Sequence, residues 1–453
     1  MPHRGTSKRI EGSQVHMNKY QRAKARIARD KAAKALYRSE KYKDNDNFDS
    51  VITTQHFIEA LVKCRVGVSW KGSVQLYTQN AISEISYVRG QLKSGTLPEL
   101  ASIKRIILYE RGKRRVIVPI TIKDRMVQRV LCDHALVPRF KDALIYDNGA
   151  SMKGKGVEFT RERMMHHIKG AIRDYGTDFY VLTFDFKSFF DSIPHATCLR
   201  ILNDTFEDRY IKGLTMAIIK SYQKSTLKNI KNPVERAQQK MLLDRNRSKG
   251  ICLGSQISQV MALAVPSRLD HYVKDYKGVK HYIRYMDDGV VFSNDKAFLH
   301  ELYAGMQAVC NELGLVFNTK KTRIVKASRG FTFMKVRYRV TPSGKIVRTM
   351  AKSGIVRMRR KLKKFSGLVD SGRMTMDDVY NSMQSWVAHS YVAQSYHARK
   401  NMFKLYNELF NGYKITRKYN HVKGGERGEL LQTDRWKEFR WCGDTTGVSE
   451  IPA

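Results

Sequence analysis

A chain of 453 residues has room for roughly two to four structural units, and 42% hydrophobic residues suffice for a packed core, so global disorder is excluded. Lys and Arg total 83 against 42 Asp and Glu, a formal charge of +41, which calls for a polyanionic partner because cations on phosphates release condensed counterions. No apolar run of about 18 residues could span a bilayer, and no signal-peptide pattern opens the chain, so nucleic acid is favoured over an acidic membrane surface.

Residues 1–50 read as a basic arm: Tyr20 to Arg29 is a helix candidate with cations on both faces and few apolar anchors, suited to contacting nucleic acid. From about 50 to 100 the pattern is helical, ending near Ser94-Gly95. Ile103 to Val118 reads as two strands with a turn at Gly112, closed by Pro119, and Asp124 to Leu136 as a helix. Asp147-Asn148-Gly149 is a turn signal, followed by the loop Lys153-Gly154-Lys155-Gly156. Phe179 to Phe186 is an apolar strand candidate. Helical material follows, interrupted by the basic stretch 228–249, and Gln256 to Val273 reads as one buried helix. Tyr282 to Phe292 is strand, tight turn, strand; Ala297 to Leu313 is a helix ended by Gly314; two more strands bracket Pro342-Ser343-Gly344. Ile355 to Phe365 is a very basic helix, two further helices run from about Met376 to Leu409, and the last 40 residues are polar and weakly patterned. No repeat appears at the periods of solenoid architectures. The six cysteines (Cys64, Cys132, Cys198, Cys252, Cys310, Cys442) form no CxxC pair, which argues for free thiols in a reducing cytoplasm rather than a zinc knuckle or redox motif.

Two acidic positions stand out in so basic a chain. Asp185 ends the apolar strand Phe179 to Phe186, where an ionised carboxylate is costly unless a cation compensates. Asp287-Asp288 sits between apolar β-formers in Ile283-Arg284-Tyr285-Met286-Asp287-Asp288-Gly289-Val290-Val291-Phe292, so a hairpin would carry both at its tip. Carboxylates on two neighbouring strand ends make a hard-oxygen site for Mg²⁺. Nucleotidyl transfer needs such a site: one ion acidifies the attacking 3′-hydroxyl and a second stabilises the departing pyrophosphate. The chain holds its own control. Met376-Asp377-Asp378 repeats the tripeptide but opens a helical stretch, where acids complement the helix dipole.

These blocks resemble the reverse transcriptases of bacterial and phage retroelements, over about Lys104 to Leu409. Phe184-Asp185-Phe186-Lys187-Ser188-Phe189-Phe190-Asp191-Ser192-Ile193 is similar to the family's first catalytic block and Tyr285-Met286-Asp287-Asp288 to its second. The resemblance implies an α/β (α+β) right-hand polymerase with fingers, an antiparallel palm sheet with packed helices, and a helical thumb. It implies two Mg²⁺ per site, with Mn²⁺ as an alternative, held by Asp185 and Asp287 with Asp288 assisting and the Phe186 carbonyl as a further oxygen. Phe190, five residues after Asp185, matches the aromatic gate that excludes a ribose 2′-hydroxyl and so selects dNTPs. Lys104, Arg105 and Gly112 to Pro119 resemble the basic hairpin that holds the triphosphate, with Arg114 the preferred contact and Arg115 one register away. Lys153 and Lys155 resemble a template-contacting loop, where glycines allow close approach and lysines neutralise phosphates. Lys321, in Asn318-Thr319-Lys320-Lys321-Thr322, matches a lysine that could protonate pyrophosphate. Lys335 stands where many relatives have the glycine of a primer-contacting block. The helix bearing Arg357, Arg359, Arg360, Lys361, Lys363 and Lys364, with Ser385 to His389, resembles the thumb and could track a duplex backbone by charge.

The implied domains are a basic arm (1–50), N-terminal helices and fingers (51–175), palm (176–345), thumb (346–412) and polar tail (413–453). One block departs from the common pattern. Leu253-Gly254-Ser255-Gln256-Ile257-Ser258-Gln259 stands where most reverse transcriptases have Gln-Gly-x-x-x-Ser-Pro, and Leu253 gives up a hydrogen-bonding group facing the incoming nucleotide. That form resembles diversity-generating retroelement enzymes, which err at template adenines; some phage-defence enzymes also depart here. The implied partners are an RNA template, an RNA–DNA or DNA duplex, dNTPs, a noncoding RNA and an accessory protein, in the cytoplasm of a bacterial or phage-infected cell, with no membrane. Three other readings compete. An RNA-copying RNA polymerase is disfavoured by Phe190 and by Met286 where such enzymes carry Gly. An intron maturase-like splicing factor would suit the basic arm and thumb, although no zinc-type or His-Asn-His pattern follows them. A scaffold that only binds nucleic acid would have no use for three clustered acids.

Overall fold

The computed structural model describes residues 40–95, 106–110, 113–117, 119–221, 232–245 and 248–410, with positions 26, 29, 33 and 37 of an earlier helix and short paired strands Lys414–Thr416 and Arg440–Cys442. Most of the expected arm, Lys104, Arg105, Gly112, part of the basic stretch 228–249 and most of the polar tail lie outside the described residues. The architecture is mixed α/β with antiparallel sheets, as expected. Among the described residues no helix is long and apolar enough to cross a membrane.

The chain divides into two units, one comprising residues 1–145 and 188–267 and the other 146–187 and 268–453. The stretch expected as palm is therefore shared between them.

In the first unit the helix Thr54–Cys64 buries Phe57, Ala60, Leu61 and Cys64, the i, i+3, i+4, i+7 stripe of an amphipathic helix, and Thr53 caps it by accepting from the His56 N–H. The helix Ile122–Leu131 packs beside it, capped in the same way by Thr121. The expected hairpin forms as β1 (Ile106–Glu110) and β2 (Lys113–Ile117), with Arg114 opposite Tyr109. The single helix expected over Gln256 to Val273 is broken into Gln256–Ala264 and Ser267–His271. Pro266 lies at the break and has no N–H to continue the helical ladder.

In the second unit the helix Val157–Tyr175 covers a four-stranded sheet of order β4-β5-β3-β6, in which β3 is Tyr180–Asp185, β4 Tyr282–Tyr285, β5 Asp288–Ser293 and β6 Arg323–Lys326, all antiparallel. In a second sheet, β7 (Phe331–Phe333), β8 (Val336–Val340) and β9 (Ile346–Met350), the central strand β8 alternates strictly: Val336, Tyr338 and Val340 are buried, Arg337 and Arg339 exposed. One core joins the helix (Met164, Ile168) to both sheets (Val181, Val290, Phe292, Phe331, Tyr338). The last three helices, Lys352–Asp370, Met376–Ser390 and Tyr396–Leu409, share a separate core around Leu362, Val379, Met383 and Tyr406.

Candidate active site

β3 delivers Asp185 as its last residue, and the Cα partner of Asp185 is Asp288, the first residue of β5. One residue earlier Phe184 faces Gly289, and a methyl carbon built on Gly289 would overlap the Phe184 ring. Glycine at 289 therefore lets the two strands close where the acids emerge. Tyr285 pairs with Asp288, so Met286-Asp287 is a two-residue turn between β4 and β5. Met286 has φ +51°, in the positive-φ region where glycine is usual, a conformation costing a side-chain-bearing residue about 1–3 kcal/mol. The Asp287 carbonyl accepts from the Phe186 N–H at 3.3 Å, and Phe186 stacks on Phe317, fixing the chain just beyond Asp185.

Asp185 is buried, and its backbone and side chain are both gripped by the turn that follows Phe317. The Asn318 N–H donates to the Asp185 carbonyl at 2.7 Å, Asn318 Nδ2 to Oδ1 at 3.2 Å, and Lys321 Nζ to Oδ2 at 2.5 Å. Burial works against the Lys321 charge, but the bond to Asp185 and the charges of Asp185, Asp288 and Asp287 raise its pKa overall. Burial, then the neighbouring charges of Asp287 and Asp185, push the Asp288 carboxyl up to about 7. Acids that oppose one another's ionisation in this way are suited to a dication, which reverses the penalty. The donors are hard oxygens of the kind Mg²⁺ takes, so the residues fit the ion, although among the described residues no three His, Cys, Asp or Glu side chains converge as a finished ligand set. An open cleft of about 320 Å³ lies over Asp185, Asp288 and Lys321, bordered by Arg323, Phe331 and Arg337.

The other Asp pair is a helix start. Thr375 and Asp378 form a reciprocal capping box at Met376–Ser390, with the Asp378 N–H donating to Thr375 Oγ1 and the Thr375 N–H to Asp378 Oδ2, both at 3.2 Å.

Phe190 and the Leu253 block come together within the first unit. The Ile251 N–H donates to the Phe190 carbonyl, the Gly250 N–H to that of Ile193 and the His195 N–H to that of Ser248, each at 2.8 Å. Phe190 is half-buried, edge-on to Phe189; Leu253 is half-buried just before Gly254, whose φ is +104°. Gln128 anchors the block by accepting from Ser255 Oγ at 2.8 Å and the Gln256 N–H at 3.2 Å.

Of the expected nucleic-acid contacts, Lys153 is exposed, whereas Lys155 donates to the Tyr146 carbonyl at 2.8 Å and lies over the Tyr146 and Phe159 rings. Arg357, Arg360, Lys361 and Lys364 line the exposed face of Lys352–Asp370, with Met358, Leu362 and Phe365 beneath. Lys361 also donates to Ser382 Oγ at 2.6 Å. Met334 and Lys335 both have positive φ in the turn between β7 and β8, so Lys335 takes the backbone conformation a glycine would have supplied.

Two charged clusters escaped the sequence reading. Asp147 lies in the turn read there but is buried: its carboxylate pairs with Arg163 at 2.6 Å and lies 3.1 Å from His167, and its carbonyl accepts from the Arg284 N–H at 3.2 Å. Arg284 and Asp270, both fully buried, form an ion pair beneath the Met286-Asp287 turn. An arginine inside Tyr282-Ile283-Arg284-Tyr285 signals a buried partner, but no spacing rule points to Asp270 on a separate helix.

The family described as "Reverse transcriptase (RNA-dependent DNA polymerase)" matches residues 104–338, over half of the chain. Among solved structures, the chain is similar to apo telomerase from Candida tropicalis truncated from its C-terminal domain, at 11% identity and a TM-score of 0.39, covering 55% of each chain. It is also similar to telomerase from Candida albicans in complex with a TWJ fragment of telomeric RNA, at 12% identity and a TM-score of 0.36, covering 68% of this chain and 54% of that one. The chain thus spans little more than half the length of these relatives. No curated protein matches it.

Proposed function

The chain belongs to the reverse transcriptase family, and from that premise we propose that it is an RNA-directed DNA polymerase, working by two-metal nucleotidyl transfer in an error-prone, diversity-generating retroelement. The observation that carries the chemistry is the pairing of Asp185 with Asp288 at the ends of β3 and β5, with Asp287 in the adjoining turn and Lys321 on Asp185. Asp185, Asp287 and Asp288 would hold Mg²⁺, with the Phe186 carbonyl as a further oxygen. Bound there, the ion supplies the charge that acidifies a 3′-hydroxyl and neutralises a departing pyrophosphate. Lys321 holds a proton at Nζ, beside Asp185, that it could give to the departing pyrophosphate oxygen. Phe190 selects dNTPs by its bulk. Lys153 and the exposed cations Arg357, Arg360 and Lys364 neutralise template and duplex phosphates.

The retroelement assignment rests on Leu253. An aliphatic group facing the incoming nucleotide gives no hydrogen bond that depends on correct pairing, which loosens selection. The test is to sequence the RNA that copurifies with the protein and the cDNA it makes from dNTPs and Mg²⁺. Products of one template RNA, substituted mainly opposite adenines, support this reading. Faithful, repetitive or untemplated DNA tied to a small noncoding RNA would place the enzyme in phage defence. Tight RNA binding with no synthesis would favour a maturase-like splicing factor.

A further inference from the structure

Building on the polymerase reading, we propose that Arg284, oriented by Asp270, is a positioning residue that fixes the backbone carrying the Asp287 carboxylate. Asp270 Oδ1 accepts from Arg284 Nε at 2.7 Å and Oδ2 accepts from Nη2 at 2.6 Å, a two-pronged grip that sets the guanidinium plane. Tyr282 Oη donates to the same Oδ1 at 2.7 Å. The remaining prong, Nη1, donates to the Met286 carbonyl at 2.8 Å. The Arg284 backbone is held as well: its N–H donates to the Asp147 carbonyl at 3.2 Å, and its carbonyl accepts from the Gly149 N–H at 2.9 Å.

The consequence falls on Asp287. The carbonyl before it is held by Arg284, and its own carbonyl is held by the Phe186 N–H. With both flanking peptides pinned, the direction of its Cα–Cβ bond is set, and the left-handed Met286 is kept from relaxing. Packing alone does not call for this arrangement, since buried ion pairs are often replaceable by well-packed apolar side chains without loss of stability. An apolar replacement fills the space but supplies no N–H to the turn. A lysine supplies charge without the planar fork.

The test uses the full-length protein, the variant Arg284→Lys and the triple variant Asp270→Leu/Tyr282→Phe/Arg284→Met, which replaces the whole buried polar group. Three readouts are taken: the melting midpoint, Mn²⁺ affinity from the electron paramagnetic resonance signal of free Mn²⁺, and kcat and KM for dNTP on an RNA template. The expected result is that the triple variant melts near the wild type and binds RNA normally, yet binds Mn²⁺ about tenfold more weakly. Its kcat falls about a hundredfold, the scale of a misplaced catalytic group, while KM changes little. Arg284→Lys shows the same weakening of Mn²⁺ and loss of kcat. A folded triple variant with wild-type Mn²⁺ affinity and kcat would overturn the inference, leaving the pair as core filling. If the triple variant does not fold, Arg284→Lys decides: wild-type Mn²⁺ affinity there overturns the inference equally. Absence of RNA-templated synthesis by the wild type would instead sink the polymerase reading, an outcome distinct from either result with the variants.

Discussion

Asp185 and Asp288 are register partners across β3 and β5, and Lys321 Nζ lies 2.5 Å from the carboxylate of the first while the second has its pKa pushed up to about 7. The strands thus force two acids together, and Lys321 compensates the first of them. Such an arrangement is unfavourable for folding alone and is understandable as a site prepared for a divalent ion and a phosphate chain.

The two Met-Asp-Asp tripeptides give a paired test. Asp287→Asn is expected to lower RNA-templated DNA synthesis at least about a thousandfold, equivalent to about 4 kcal/mol of barrier, while leaving RNA affinity nearly intact because the lost charge serves metal rather than phosphate. Asp378→Ala removes one half of the capping box at Met376–Ser390, so it should cost about 1 kcal/mol of stability and leave synthesis unchanged. Filter binding of RNA, primer extension and urea denaturation measure all three quantities. Equal loss of binding and synthesis in Asp287→Asn would count against the metal assignment.

Gly289→Ala tests the close approach of β5 to Phe184. Phe184 is buried against Phe186, Tyr282 and Phe317, so its ring has little freedom to yield to the added methyl. Overpacking of this kind costs about 1–3 kcal/mol, and here it also spreads the strands one residue from the Asp185–Asp288 pair. Both the urea midpoint and the rate of synthesis should fall. A variant with wild-type stability would show that the strands are free to part at this point.

The acids were legible in the sequence because a charge closing an apolar strand breaks the expected pattern, and Asp377-Asp378 read as helix-start acids complementing the dipole, although the reciprocal bonds between Asp378 and Thr375 were not read. The hairpin at Tyr282 to Phe292 was equally open to reading, since β-formers flank a polar turn. What escaped was contact between distant segments. Lys321 was placed near the triphosphate by resemblance, yet its grip on Asp185 depends on how the chain returns after the helix Lys296–Leu313. The Arg284–Asp270 pair is a tertiary match between a strand and a separate helix, and the burial of Asp147 likewise depends on Arg163 and His167 arriving from another helix. The break at Pro266 was visible, but the apolar run around it outweighed the missing N–H in the reading.

Leu253→Gln bears on the retroelement assignment. The side chain is half-buried in a turn ahead of the helix Gln256–Ala264, whose start is held by Ser255 and Gln128 rather than by Leu253, so the substitution should leave the fold intact. A glutamine restores one hydrogen bond to a correctly placed nucleotide, worth about 0.5–1.5 kcal/mol, or roughly two- to tenfold fewer substitutions opposite template adenines. Deep sequencing of cDNA from both proteins on one RNA reads this directly. An unchanged error spectrum would sink the role given to Leu253.

His195 links the Phe190 block to the Leu253 block through two bonds, its N–H to the Ser248 carbonyl and its ring Nε2 to the Gly250 carbonyl, both 2.8 Å. Burial lowers its pKa below the ordinary 6.5, against the opposing effect of the Gly250 bond, and the Lys220 charge adds to the lowering. His134, His166 and His281 are lowered by burial in the same direction. In the unfolded chain these rings take protons near pH 6.5, whereas in the folded chain they take them only at lower pH. As pH falls through 6.5 the unfolded state therefore binds more protons at these rings, and their contribution to stability declines, while the Asp288 carboxyl, raised to about 7, works in the opposite direction. Asp288 is common to both proteins, so the His195 contribution is read as a difference: from pH 7.5 to pH 5.5 the urea midpoint of His195→Gln, which can still donate to Gly250 but does not titrate, is expected to fall less, or rise more, than that of the wild type. An identical pH slope in the variant would show that His195 is protonated as easily folded as unfolded, and that the junction between the two blocks does not exclude charge.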